Sequence, residues 1–122
     1  MHVNYVYVIA FRGDEFLMVR HARRAWEMPG GKVEACESAE EAASREFMEE
    51  TGYELVAPCV LEKEDGGLVY LGQVGKKLSI TPNEDEIAEV GFFIDLPDNL
   101  SFPLVEYQRM LDAAARKRIA LR

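Results

Sequence analysis

Glu46, Glu49 and Glu50 are three carboxylates at i, i+3 and i+4, just before Gly52 in a run of helix-forming residues. On a helix such positions share one side, where like charges repel. Glu49 and Glu50 also face the negative end of the helix dipole. Each clash costs only a few tenths of a kcal/mol, roughly, but all push the same way. A divalent cation would reverse the sign of that sum. Mg²⁺ takes hard oxygen ligands and commonly sits between protein carboxylates and substrate phosphates. Gly30 and Gly31, just upstream, let the backbone come close to a ligand and can add a carbonyl oxygen. Arg45 stands four residues before Glu49 and four after Glu41, so it can brace a carboxylate without being a ligand.

The wider spacing is more specific. From Gly31, five residues lead to Glu37 and seven more to Arg45-Glu46, followed by Phe47, Met48, Glu49-Glu50, Thr51, Gly52 and Tyr53. This resembles the Nudix box, G-x5-E-x7-R-E-U-x-E-E-x-G-U with U a bulky apolar residue, and every specified position matches. Trp26-Glu27-Met28-Pro29-Gly30 precedes the box in a form similar to the family's. The resemblance implies an α/β chain with the Nudix fold, an α/β/α sandwich with a mixed central sheet, as a single domain over residues 1–122. It implies Mg²⁺, with Mn²⁺ as the alternative, held by Glu46, Glu49, Glu50 and the carbonyl of Gly30. Arg45 takes an orienting role and Glu37 a supporting one.

The implied reaction is hydrolysis of a nucleoside diphosphate linked to another moiety. Water attacks phosphorus while metal ions stabilise the attacking and leaving oxygens. The general base is Glu46, Glu49 or Glu50 within the box, or Glu86 outside it. Some family members use a glutamate on the loop before a late aromatic strand, and Glu86 sits six residues before Phe92. Glu84 and Glu89 compete for that role.

Substrate contacts are expected from a basic run at the end of the second strand. Arg20 matches a position where family members often place a phosphate-contacting arginine. Arg23 and Arg24 follow it in a chain otherwise acidic. His21 reads as an ordinary surface histidine. Asn99 and Ser101 precede the second helix, where nucleotide-selective members read the base edge. Tyr5, Tyr7, Phe92 and Phe93 are candidate stacking partners but read more simply as core residues, and Trp26 is expected to pack the loop under the metal site.

Within the family, the chain's small size resembles the MutT-like branch, which cleaves nucleoside triphosphates to monophosphate and pyrophosphate. The segments 26–34 and 96–101 resemble a triphosphatase of that branch acting on oxidised purines. The alternatives are ADP-ribose or another sugar nucleotide, a dinucleoside polyphosphate (Tyr70 lies at a suitable distance from the box), RNA 5′ ends, or a non-catalytic nucleotide sensor. The downstream proline typical of the ADP-ribose branch is missing near Gly67. An acidic interaction domain or Ca²⁺-binding structural protein fits poorly, because EF-hand spacing is missing.

The surrounding elements must hold this site. The 122 residues suit one compact domain. Fourteen basic against twenty-two acidic residues give a net charge of −8, which argues against tight binding to long nucleic acid. No apolar run has the length of a membrane span. The start lacks signal-peptide character, and Cys36 and Cys59 read as reduced thiols in a cytoplasmic protein. A monomer or homodimer is expected.

Periodicity predicts strands over 3–11 and 15–20 joined by a turn at Gly13, a break at Pro29-Gly30-Gly31, and a helix opened by Ser38 with Glu41 as its capping box and closed by Gly52. Two strands follow around Asp65-Gly66-Gly67, then a loop at 82–86 and a strand over 90–94. A second helix over about 103–118 has Leu104, Tyr107, Met110, Leu111 and Ala114 on its apolar face.

Overall fold

The structure, a computed structural model, describes residues 2–79 and 86–121. Strands β1 (Tyr5–Arg12) and β2 (Glu15–His21) form a hairpin around Gly13, whose φ of 62° lies in the left-handed region that glycine adopts without strain. The two strands pair only at Phe11↔Phe16 and Arg12↔Glu15, then splay apart. Two short strands line the opening. β3 (Trp26–Glu27) pairs with β2, and β4 (Gly30–Lys32) pairs with β1 from Tyr5↔Lys32 to Tyr7↔Gly30.

Helix α1 (Ala39–Thr51) follows, then the long antiparallel pair β5 (Tyr53–Glu64) and β6 (Gly67–Lys77). β6 runs parallel to β1, which makes the sheet mixed. β7 (Ile87–Phe93) covers the outer edge of β2, and α2 (Leu104–Ala120) closes the described chain.

Strand alternation splits the core in two. Val6, Val8, Ala10, Leu17 and Val19 face α1 and pack on Ala42, Ala43 and Phe47. Ile9, Phe16, Met18, Val69 and Leu71 face α2 and pack on Tyr107, Met110 and Ala114. The result is the expected α/β/α sandwich. Phe47 is fully buried, and its burial is worth about 1.5–3 kcal/mol. Among the described residues no helix is long and apolar enough to cross a membrane.

Helix α1 is fixed at both ends. Ser38 Oγ accepts from the Glu41 amide (3.1 Å), and Glu41 Oε1 accepts from the Ser38 amide (2.9 Å). At the other end Gly52 adopts φ 79° and its amide donates to the Met48 carbonyl. No basic residue stands in the last turn, so Glu49 and Glu50 meet the dipole uncompensated.

Four expectations are corrected. The Pro29-Gly30-Gly31 segment does not simply break regular structure, because Gly30–Lys32 pairs with β1. A Cβ at Gly30 would strike the Val6 carbonyl and the Tyr7 ring, so the missing side chain is what admits the strand. The late strand starts at Ile87 rather than Val90 and ends before Ile94, which is exposed. Trp26 does not pack under the carboxylates; it faces the α2 layer, with its ring edge-on to Phe93 at 4.9 Å. Leu104 lies half-exposed on α2, while Tyr107, Met110 and Ala114 carry the contact.

Candidate active site

The carboxylates of α1 reach β4, the strand inside the opening. Around Arg45 they are tightly paired. Arg45 Nε and Nη2 donate to the two oxygens of Glu37 (2.6 and 3.0 Å). Its Nη1 donates to Glu46 Oε1 (2.9 Å) and Glu49 Oε2 (3.3 Å), and Nη2 also donates to the Lys32 carbonyl (3.0 Å). The hydrogen bond from Arg45 holds the Glu37 carboxyl below its ordinary range, and the same bonds hold Arg45 firmly cationic. Gly31 allows this packing, since a Cβ there would collide with the Glu46 carboxylate.

Glu50 lies in a different setting. Its Oε1 accepts from the Gly30 amide (2.8 Å), and its Oε2 lies 3.5 Å from His21 Nε2. His21 Nε2 lies 3.0 Å from Glu27 Oε1, which also lies 3.4 Å from Arg24 Nη2. Glu27 and Glu50 are both buried, and Glu27 Oε2 has no hydrogen-bond partner. Burial pushes the Glu50 carboxyl up to about 8 against the pull of the Gly30 amide, and Glu46, Glu27 and Glu86 add to the rise. Burial also raises Glu46, partly offset by Arg45. His21 is therefore not the surface residue expected. Its side chain is only 14% exposed, turned inward beside a β-bulge between Arg20 and His21. The sequence signals for these two are His21's place in the basic run and Glu27's place in the flank of the box, neither of which gives their pairing.

Among the described residues no three acidic side chains share one coordination point. Arg45 draws Glu46 and Glu49 toward itself, and the Gly30 amide holds Glu50. The donor set nevertheless fits a hard divalent cation. Every candidate ligand atom is a carboxylate or carbonyl oxygen, Glu50 resists ionisation alone, and a buried carboxylate oxygen is left without a donor. Glu50 meets Gly30 and Glu46 lies against Gly31 of β4, whereas Glu49 meets Arg45.

The other candidates divide. Glu86 stands at the start of β7; its carbonyl accepts from the Ala22 amide (2.8 Å), and its charge reaches both Glu46 and Glu50. Glu84 lies outside the described residues. Glu89 is paired with Arg20, whose Nε donates to Glu89 Oε1 at 2.8 Å. Strand alternation sets Arg20 on the face of Phe16 and Met18, away from the carboxylates. Arg23 is exposed.

Asn99 and Ser101 tie the segment before α2 to β3. The Trp26 amide donates to the Asn99 carbonyl (3.0 Å), the Ser101 amide to the Trp26 carbonyl (2.9 Å), and the Ala25 amide to Ser101 Oγ (3.1 Å). Phe102, next along, lines a recess of about 190 Å³ with Tyr5, Tyr7, Met28, Tyr107 and Met110, rimmed by Glu64 and Glu106. Neither Asn99 nor Ser101 lines it. Phe92 and Phe93 pack inside the two core layers. A larger hollow of about 530 Å³ lies beside the β1–β2 turn and the end of α2, with no acidic residue in its lining.

Residues 1–116 match the NUDIX domain family model. The chain is similar to a Bacillus subtilis (strain 168) protein named "Putative 8-oxo-dGTP diphosphatase YtkD", 38% identical over 115 residues that cover 80% of this chain and 66% of that one. It is 34% identical over 102 residues to "Putative nudix hydrolase 1" of Caenorhabditis elegans, covering 71% of this chain and 28% of the relative. The chain thus spans less than two thirds of the length of these two relatives. Among solved structures it is similar to the Bacillus subtilis pyrophosphohydrolase BsRppH, crystallised as a glutamate-to-alanine variant, with TM-score 0.77 and 28% identity over 94% of this chain and 82% of that one. It is also similar to a MutT of Aliivibrio salmonicida or Vibrio cholerae, with TM-score 0.64 and 28% identity over 95% and 99% of the two chains. With the box complete and the family model matched along nearly the whole length, the chain belongs to the Nudix hydrolase family.

Proposed function

We propose that the protein hydrolyses a nucleoside triphosphate, an oxidised purine form included, to the monophosphate and pyrophosphate. The observation that carries this reading is the buried, under-compensated carboxylate Glu50, set beside Glu46 and Gly30 at the mouth of the β1–β2 opening. Mg²⁺ bound by Glu46, Glu49, Glu50 and the Gly30 carbonyl would neutralise the phosphates and favour ionisation of water. Glu86 takes the proton of the attacking water, the new bond forms at phosphorus, and the bridging oxygen leaves on pyrophosphate. Arg45 keeps Glu46 and Glu49 on one side of the helix. Arg20, Arg23, Asn99 and Ser101 remain the proposed substrate contacts outside the box.

The nucleobase is proposed to enter the 190 Å³ recess. Tyr5 and Tyr7 offer aromatic faces there, while Glu64 and Glu106 offer acceptors for N–H groups of a base edge. The recess opens beside Met28, two residues before Gly30, so one ligand can reach both regions. The similarity to YtkD, whose name refers to 8-oxo-dGTP, supports a purine triphosphate.

The test is phosphate release, coupled separately to pyrophosphatase and to phosphatase, with millimolar Mg²⁺. The panel holds triphosphates with and without 8-oxo-guanine, ADP-ribose, diadenosine polyphosphates and a 5′-triphosphorylated oligonucleotide. Pyrophosphate from one free triphosphate is the expected result. Turnover confined to another class overturns the substrate, and silence with the cation bound overturns catalysis in favour of a nucleotide sensor.

A further inference from the structure

His21 has no assigned task, yet it occupies the most constrained position beside the carboxylates. Strand alternation sets His21 on the face of Leu17 and Val19, opposite an irregularity at Ala88 of β7, and its Nε2 lies 3.0 Å from Glu27 Oε1 and 3.5 Å from Glu50 Oε2. Glu27 itself is held in place. It pairs across β3–β2 with Val19, is 5% exposed, and has Arg24 3.4 Å from the same oxygen that meets His21. Among the described residues the Gly30 amide and His21 are the only donors within reach of Glu50. The amide fixes one carboxylate oxygen. Without a second contact, the group can still swing about that bond.

We propose that His21, whose Nε2 lies between Glu27 and Glu50, is a positioning residue that ties the second oxygen of Glu50 to the fixed Glu27 and so presents this carboxylate to a divalent cation in one orientation. The proposal rests on the cation-dependent reading above. Groups behind a ligand act by cutting the freedom it loses on binding, and their removal typically weakens metal affinity by about 10- to 100-fold. Burial strengthens this 3.5 Å contact, because charges interact more strongly where solvent screens them less.

The test is Mn²⁺ binding to the full chain without nucleotide, read by electron paramagnetic resonance. His21→Phe keeps a ring of similar size and removes the donor; Mn²⁺ is expected to bind at least about tenfold more weakly. His21→Gln returns an amide nitrogen near the Nε2 position and is expected to recover most of that loss, while melting in chelator at the wild-type temperature. A purely structural role would lower the melting temperature of both variants and leave the affinity of the folded protein unmoved. Wild-type affinity in folded His21→Phe overturns the proposal, as does failure of His21→Gln to recover it.

Mg²⁺ titration of the unsubstituted protein provides a measurement that needs no variant. The ring nitrogen NMR signals of His21 shift if the proposal holds, and unmoved signals overturn it. Glu50→Gln separates the two levels. If the wild type binds Mn²⁺ no better than Glu50→Gln, the cation reading itself fails and takes the proposal with it; if only His21→Phe is silent, that reading stands alone.

Discussion

Two groups of carboxylates meet around α1, and they are treated differently. Glu37, Glu46 and Glu49 are gathered on one guanidinium, which answers their charge within the chain. Glu50 and Glu27 are buried, meet a neutral amide, an imidazole and, at Glu27 alone, the Arg24 guanidinium at 3.4 Å, and leave one oxygen with no donor. The second group is the less compensated, and burying a carboxylate without full compensation is unfavourable. The difference marks where an external positive charge gains most, and which side chains need only be held ready.

That contrast makes Glu50→Gln the most damaging change. It is expected to lower kcat by about 100- to 1,000-fold, roughly the loss seen when one oriented electrostatic contact is removed. In chelator at pH 4, below the ordinary carboxylate value, the variant and the wild type should melt together. At pH 9 the variant should melt higher, because only the wild type carries a buried charge there. Equal melting at both pH values would erase the distinction between the two groups.

Arg45→Ala attacks the other group. It leaves three acids facing one another across α1, so the chelated protein should melt lower, on the order of 5 °C. Activity should fall about 10- to 100-fold, and added Mg²⁺ should narrow the melting gap. A variant that melts normally would mean that Arg45 does not hold the group together.

The wild type sharpens the comparison through pH. Glu50 is raised from 4.5 to about 8 in the folded protein, so the native state binds more protons than the unfolded chain between those values. Without cation, stability should therefore fall as pH rises from about 4.5 to about 8. Over the same window the cation must displace a proton, and Mn²⁺ affinity should gain up to about tenfold per pH unit, levelling above 8. Calorimetry in buffers of different ionisation enthalpy counts that proton. The smallest effect is expected away from both groups. Ser101→Ala removes the strap to Ala25 and should cost about 1 kcal/mol in denaturant unfolding, with Mn²⁺ affinity unchanged.

What was legible in the sequence is what chain spacing determines. Ser38, Glu41 and Gly52 fix α1 through contacts within a few residues, so its register, and with it the grouping of Glu46, Glu49 and Glu50, follows directly. The pairing of Gly30–Lys32 with β1 joins segments about 25 residues apart, and glycines that read as breakers locally become the means of close approach. His21 escaped for a related reason. Alternation along β2 gives its face, but its partner Glu27 comes from a strand paired to β2 through the splay of the hairpin, which has no local signature. Trp26 and Glu27 alternate on a strand of two residues, too short for periodicity to tell which face each takes.

Strand β1 serves two clients through its alternation. Val6 and Val8 seat the helix that carries the acids, whereas Tyr5 and Tyr7 line the recess on the other side. Mutation can therefore redraw one surface while the other keeps its bedding. A lineage built on this strand can change what it accepts without relearning how to react, and drift in preference should accumulate at the tyrosines long before the valines move.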